Sequence, residues 1–327
     1  MQSEERLVSL LRLQKGYISG KTLAKEIGIS TSGISKRIKI LRKFGYKIES
    51  RHRMGYRIAD ETNLPLPLEL RNVLDTLFVG KDKIIYRLTT HSTQDLAILL
   101  AEENSSSDGI VVIAGQQKSG RGRQNRKWVS PKGGIWLSVV LRPRIPTSKI
   151  TLLSFTAALA VCDAIKKTTQ LDPKLRWPND ITISGKKVAG ILIDISMEAE
   201  RINYAVVGIG INANVDLLEI SSNLEKDVKI TSLSDELGHD TNILELTKVM
   251  LERLEYYYMK LKRCPPCTII EEWKKNSDIL HQKVILMQNN RIIHGIAVDV
   301  KNDGSLLVRT DDCDNINVVT SDIRVRY

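Results

Sequence analysis

The segment richest in reactive residue types runs Gln117-Lys118-Ser119-Gly120-Arg121-Gly122-Arg123-Gln124-Asn125-Arg126-Lys127-Trp128. Arg121, Arg123, Arg126 and Lys127 crowd four cations together. Guanidinium forks match the oxygens of a phosphate or carboxylate. Gly120 and Gly122 lack a Cβ, so backbone N–H groups can approach the same anion closely. An empty loop of this kind repels itself, so mobility is expected until an anion orders it. Taken alone, the loop would also serve as an RNA- or DNA-binding segment. A second stretch, Arg176-Trp177-Pro178-Asn179-Asp180, is followed by Gly185-Lys186-Lys187-Val188-Ala189-Gly190-Ile191-Leu192. A carboxylate beside a lysine on a hairpin suits Mg²⁺ and a phosphate, although a plain surface hairpin fits too. Cys264-Pro265-Pro266-Cys267 has redox or metal spacing. No second CxxC or CxxH completes a zinc tetrad, and no thioredoxin-like pattern surrounds it, so it reads as a helix break.

These residues need elements to hold them. Lys83–Leu88, Gly109–Ala114 and Ile135–Leu141 are apolar strand candidates, and Gln116–Gly134 is a polar loop between the last two. Ser92 can cap a helix over Leu96, Leu99 and Leu100. Ser148–Lys167 reads as a long buried helix. Lys174–Trp177, Ile181–Ile183, Val188–Ile195 and Asn203–Ile211 read as strands, with a hairpin turn at Ser184-Gly185. Residues 242–263 and 268–276 are helical. From Gln282 to Arg326, short strands with turns at Asn289-Asn290 and Asp303-Gly304 suggest a small all-β domain. The expected class is a multidomain α+β protein with a central mixed-sheet α/β domain between two small ones.

The first of these is basic. Residues 1–60 hold 14 Lys+Arg against 5 Asp+Glu, which is +9 of the chain's net +11. Leu7, Leu10 and Leu11 mark a first helix. A second lies over residues 18–27 and ends at Gly28-Ile29-Ser30. A third runs from Thr31 to Phe44 with Ile34, Ile38 and Leu41 inward. This is a helix-turn-helix, and the alternating Tyr46–Ile58 adds a two-stranded wing. Ser32, Ser35, Lys36, Arg37 and Lys39 on the third helix suit base edges and phosphates, and Arg51, Arg53 and Arg57 on the wing suit the DNA backbone. Gly33 costs the third helix ~1 kcal/mol relative to alanine. Asn63-Leu64-Pro65-Leu66-Pro67-Leu68 reads as an extended linker.

The chain has 327 residues, room for two or three domains. Its 42% apolar and 27% charged residues fit a folded, water-soluble class. No uncharged apolar run approaches the ~18–20 residues of a membrane span. Glu4, Glu5, Arg6 and Arg12 interrupt the first apolar residues, unlike a signal peptide. Cys162, Cys264, Cys267 and Cys313 are too sparse for a disulfide framework and suit the reducing cytoplasm.

In order along the chain stand Ser92-Thr93-Gln94, Gly120–Trp128, Arg176–Asp180, Lys187–Leu192 and Gly208-Ile209-Gly210-Ile211-Asn212. Together they resemble the biotin–protein ligases. With the winged helix-turn-helix, the chain is similar to the bifunctional form, ligase and biotin operon repressor in one. The resemblance spans essentially the whole chain and implies three domains. These are a DNA-binding domain over 1–62, a catalytic domain over 63–278 entered through 63–82, and an SH3-like β-barrel over 279–327. It implies that Ser92, Thr93 and Gln94 contact the biotin head group, with Gln117 nearby. The resemblance also implies that Arg121, Gly122 and Arg123 close over biotin and its adenylate, beside Lys187 and Gly190. It implies that Arg123, Arg126, Trp128, Asn179, Lys187 and Asn212 line the ATP side and that Asp180 holds Mg²⁺. On the same resemblance Lys187, Arg121 and Arg123 are expected to be the catalytic cations. Arg176 stands where many relatives have lysine, and Thr31 where they usually have arginine.

The implied cofactors are ATP and Mg²⁺, with biotin as substrate and biotinyl-5′-AMP as intermediate. The implied partners are a biotin carboxyl carrier domain, operator DNA and a second copy of the chain once adenylate is bound. A ligand-sensing transcription factor with a non-catalytic domain is the alternative, and intact Arg121, Asp180 and Lys187 argue against it. A lipoate ligase would carry a different Gly-rich signature.

Overall fold

Three helices open the chain: α1 (Gln2–Leu13), α2 (Gly20–Ile27) and α3 (Thr31–Lys43). The structure, a computed structural model, describes residues 2–14, 16–59, 62–103, 108–198, 201–221, 229–288, 291–319 and 322–325. Ser19 and Ser30 cap α2 and α3, their hydroxyls accepting from Thr22 N and Gly33 N, both at 3.1 Å. Gly28, at φ 77°, ends α2. Leu7, Leu11, Leu23, Ile34, Ile38 and Leu41 form the core between the helices. The wing is the antiparallel hairpin of β1 (Ile48–Arg51) and β2 (Gly55–Ile58). A Cβ on Gly55 would lie 2.0 Å from Ile18 O, so the wing meets the segment before α2 only because that residue is glycine. The expected winged helix-turn-helix is present.

Of the stretch expected as an extended linker, residues 63–66 stand outside any helix or strand, but residues 67 and 68 do not. Pro67 opens a helix, α4 (Pro67–Val73), the position at which proline's fixed φ and missing N–H cost nothing. Leu66 and Leu70 are buried, and buried Glu69 accepts from Arg12 Nη2 and Tyr46 Oη, both at 2.8 Å. Burial and the Glu69 charge push the Tyr46 hydroxyl well above its ordinary value. α4 therefore packs with the winged helix, and the chain divides into compact units at 1–72 and 73–327, ten residues beyond the expected boundary.

The second unit is built on a seven-stranded mixed sheet of β3 (Ile84–Arg87), β4 (Val111–Ala114), β7 (Ile135–Leu141), β8 (Lys174–Arg176), β9 (Asp180–Ile183), β10 (Lys186–Glu198) and β11 (Arg201–Ile211). Their spatial order is β3-β4-β7-β11-β10-β9-β8. Only β3 and β4 run parallel, joined by helix α5 (Thr93–Glu103). Between β4 and β7 the chain forms a separate ribbon, β5 (Gln117–Arg121) with β6 (Lys127–Ser130). Ser184 and Gly185, both at positive φ, make the β9–β10 turn. Ala97 and Ala101 of α5 pack on Val112, Val140 and Val206. Leu96 and Leu100 of the expected helix pack beside them, partly buried, while Leu99 is 55% exposed.

Helix α6 (Leu152–Thr169) is buried along most of its length and packs on the long helix α9 (Ile243–Arg263). It is long and apolar enough to cross a membrane by composition, but 67% of that stretch is buried in this fold. Two short helices, α7 (Leu217–Ser221) and α8 (Leu233–Leu237), precede α9, and α10 (Pro266–Lys275) follows it. The C-terminal part is an antiparallel five-stranded sheet of β12 (Lys283–Gln288), β13 (Arg291–Val300), β14 (Leu306–Thr310), β15 (Asn315–Val318) and β16 (Asp322–Val325). It is ordered β15-β14-β13-β12-β16. The Asp303-Gly304 turn forms as expected, with Gly304 at φ 84°, while Asn289-Asn290 lies outside the described residues.

Candidate active site

Three glycines open one face of the sheet around β11. Gly210 pairs with Gly190 across β10–β11, and Gly208 pairs with Ser138 across β11–β7. Residues two apart on a strand share a face, about 7 Å from one another. A Cβ on Gly208 would lie 2.5 Å from Gln94 Oε1, and one on Gly210 would lie 2.6 Å from Trp128 Nε1. The glycines let a helix N-terminus and a tryptophan lie directly on the strands, side by side.

The helix end carries a closed polar network. Ser92 Oγ accepts from Gln94 N at 3.1 Å and Asp95 N at 3.2 Å, capping α5. Gln94 donates to Val206 O at 3.0 Å, and its Oε1 accepts from Ser138 Oγ at 2.9 Å. Gln117 Oε1 accepts from Thr93 N at 2.7 Å and Thr93 Oγ1 at 3.1 Å, while its Nε2 donates to Ser130 Oγ at 2.9 Å. Ser92, Thr93 and Gln94 are all buried. The structure thus gathers Ser92, Thr93, Gln94 and Gln117. It adds Ser130 and Ser138, which sequence reasoning missed. The available signal was Ser138 as the one hydroxyl in the apolar run Ile135-Trp-Leu-Ser-Val-Val-Leu141.

Beside this network lies a charged half. The Trp128 ring rests on Gly190, where a Cβ would sit 3.0 Å from Cζ3. Lys187 Nζ is 5.0 Å from the ring centroid, a cation–π contact, and 2.7 Å from Asp180 Oδ1. Trp128 Nε1 is buried without an acceptor among the described residues. Arg123 Nη1 donates to Asn179 Oδ1 at 3.2 Å, and Asn179 Nδ2 donates to Ile191 O at 2.6 Å. Asn212 is buried, its Nδ2 donating to Thr231 O at 3.1 Å. The segment it holds pairs with the Lys187 backbone: Lys187 N donates to Lys229 O at 2.8 Å, and Thr231 N to Lys187 O at 2.9 Å.

The arginine segment forms the β5–β6 ribbon, and carboxylates offset part of its charge. Arg121 Nη1 lies 2.7 Å from Asp95 Oδ1 and 3.3 Å from Asp194 Oδ2. A tight turn closes it, with Gly122 N donating to Arg126 O at 2.7 Å and Gln124 at φ 53°. Arg126, with Lys118, Arg121 and Lys127, lines a surface hollow of 340 Å³. Arg176 turns away from the site toward Asp278, at 2.7 Å.

Asp180 is the candidate magnesium ligand. Among the described residues no three His, Cys, Asp or Glu side chains converge as a metal site. One carboxylate suits a Mg²⁺ carried in on nucleotide phosphates, which supply the other oxygens. Cys264 and Cys267 are free thiols at the α9–α10 break.

In the first unit, Ser32, Lys36, Lys39 and Arg53 are exposed. Ser35 and Arg37 are engaged within the fold: Ser35 Oγ lies 3.0 Å from Tyr56 Oη, and Arg37 Nε is 3.5 Å from Glu4 Oε1.

A helix-turn-helix unit thus precedes a sheet that carries a polar network and a basic ribbon. Residues 4–57 match the HTH domain model, and residues 86–212 match that of the biotin/lipoate A/B protein ligase family. The chain is 33% identical over 297 residues to the bifunctional ligase/repressor BirA of Bacillus subtilis, covering 90% of each. It is 26% identical over 309 residues to the BirA of Escherichia coli, covering 94% of this chain and 92% of that one. The biotin protein ligase from Aquifex aeolicus, in complex with biotin and ATP, superposes with a TM-score of 0.62 at 26% identity, over 75% of this chain and 99% of that one. The chain belongs to the biotin protein ligase family, in the form that carries an N-terminal helix-turn-helix domain.

Proposed function

We propose that this protein forms biotinyl-5′-AMP from biotin and ATP, transfers biotin to a lysine of a biotin carboxyl carrier domain, and represses transcription in response to biotin. The observation that carries the reading is Lys187, pinned by Asp180 at 2.7 Å and by the Trp128 ring, beside the Thr93–Gln94–Gln117 network.

The uncharged network takes the ureido ring of biotin, which offers two N–H donors and one carbonyl to hydroxyl and amide partners. Thr93, Gln94 and Gln117 are the principal contacts, with Ser92 contributing through its cap. The charged half takes ATP: Trp128 offers the base a ring face, and Asn179, Asn212, Arg123 and Arg126 surround ribose and phosphates. Asp180 would help hold a Mg²⁺, which would supply screening of the triphosphate charge.

The biotin carboxylate then attacks the α-phosphorus, and pyrophosphate leaves. Both reactants are anions, so the barrier is electrostatic. Lys187, Arg121 and Arg123 offset the repulsion and the charge that builds on the α-phosphate oxygens. The carrier lysine next attacks the mixed-anhydride carbonyl, and AMP leaves. Arg121 exchanges Asp95 and Asp194 for the ligand, letting the ribbon close over the anhydride and keep water out. Asp180 orients Lys187 between turnovers. In the first unit, Ser32, Lys36, Lys39 and Arg53 face DNA. The adenylate-bound chain forms a homodimer that reads a two-fold operator, and the protein works in the cytoplasm.

The test is transfer itself. Purified protein, ATP, Mg²⁺ and a purified carrier domain should yield an avidin-reactive carrier, and a carrier lacking its acceptor lysine should stay unlabelled. Labelling of neither carrier contradicts the proposal.

A further inference from the structure

The outer side of the nucleotide half is held by residues from the far end of the chain. β8 is the last strand of its sheet, so only β9 pairs with it there. Its free side is gripped from beyond α10. Leu175 N donates to Asn276 O at 2.8 Å, Asp278 N donates to Leu175 O at 3.2 Å, and Asp278 pairs with Arg176 at 2.7 Å. Trp177 comes next, buried, and its indole Nε1 donates to Gly304 O at 2.9 Å. Two residues later stand Asn179 and Asp180.

The carbonyl that receives Trp177 sits in a rigid turn. Asp303 Oδ1 accepts from Ser305 N at 2.9 Å and from Ser305 Oγ at 2.7 Å. Gly304 has φ 84°, and a Cβ there would lie 3.0 Å from Phe155 Cε2, so the turn seats against α6 only as glycine. Thr151 Oγ1 donates to Asp303 O at 2.7 Å, fixing the same turn to the start of α6. On its inner side Asn179 is bonded to Ile191 at both ends, Nδ2 to Ile191 O and Ile191 N to Asn179 O.

We infer that the Asp303–Ser305 turn of the C-terminal sheet is a positioning element of the active site, acting through Trp177 on Asn179 and Asp180. The inference rests on the ligase reading above, which places ATP on that half. Trp177 is a positioning residue: the indole N–H holds the Trp177–Asp180 segment against β10, so that Asn179 meets Arg123 and Asp180 meets Lys187. The biotin half, built on α5, β5, β7 and β11, has no bond to this turn among those described. Loosening the turn therefore weakens nucleotide binding selectively.

Biotin-dependent pyrophosphate–ATP exchange on the full chain, with KM for ATP and for biotin read separately, tests this. Trp177→Phe keeps an aromatic side chain but removes the donor and the rest of the indole. It should raise KM for ATP about 3- to 10-fold, the loss of one buried hydrogen bond, with KM for biotin within about twofold. Thr151→Val, which frees the other anchor, should shift the same ratio in the same direction by less. Equal rises in both KM values, or an unchanged KM for ATP in either folded variant, overturn the inference. If Trp177→Phe does not fold, Thr151→Val decides alone, and an unchanged KM ratio overturns the inference. Absence of exchange in the unaltered protein overturns the ligase reading and this inference with it.

Discussion

Lys187 is restrained on two sides, by the Asp180 carboxylate and by the Trp128 ring, and neither restraint needs ligand. Its ammonium is therefore aimed before substrates arrive, which is how a fixed charge lowers a barrier without reorganising during the reaction. Lys187→Ala should lower the rate of adenylate formation by about 100- to 1,000-fold while leaving thermal stability near the parent value. Single-turnover formation of adenylate from radiolabelled ATP measures it, and near-parental rates would refute the assignment. At this scale the charged residues were legible in the sequence because the chemistry needs their types close together. Ser130 was not, and Ser138 offered only its place as the one hydroxyl in an apolar run. Nor was the Arg176–Asp278 pair, whose members lie 102 positions apart.

The elements work by bracing one another. Segment 229–233 pairs with the Lys187 backbone, and α8 behind it presents Glu236. Burial works to raise the Glu236 pKa, but hydrogen bonds from Thr231 Oγ1 at 2.6 Å and Lys186 Nζ at 2.9 Å outweigh it and hold the carboxyl below its ordinary range. A carboxyl depressed in the folded state adds stability above its unfolded pKa. That stability is lost as pH falls through the folded value. Glu236→Gln should therefore lower Tm at pH 7, and the difference should shrink away below about pH 4. A difference in Tm that persists unchanged into acid would contradict this coupling. Elements were readable wherever periodicity matched burial, as in α3 and β7. In α5 the expected leucines divide: Leu96 and Leu100 pack beside the buried Ala97 and Ala101, and Leu99 faces solvent. Alternating prolines misled at 63–68 because Pro67 sits where a helix tolerates it.

For the whole molecule, the charge asymmetry and the two units coincide. The basic residues 1–60 lie within the first unit, which closes at 72 once α4 is counted. A chain beginning at Val73 should keep biotin-dependent adenylate formation and lose DNA binding. A cut after residue 62 would instead leave α4 without Arg12 and Tyr46 as partners for Glu69. In the full chain, DNA affinity should fall steeply with salt, each phosphate contact adding about 0.9 to the log–log slope, and Lys36→Ala or Lys39→Ala should each reduce that slope. A salt-independent affinity would contradict phosphate contact by α3.

The central claim is that the sheet, the polar network and Lys187 activate biotin. The most direct measurement is exchange of labelled pyrophosphate into ATP by the purified protein with Mg²⁺, with biotin, lipoate or no acid added. Exchange that requires biotin and is absent with lipoate is the predicted result. No exchange with biotin, or equal exchange with lipoate, would contradict it.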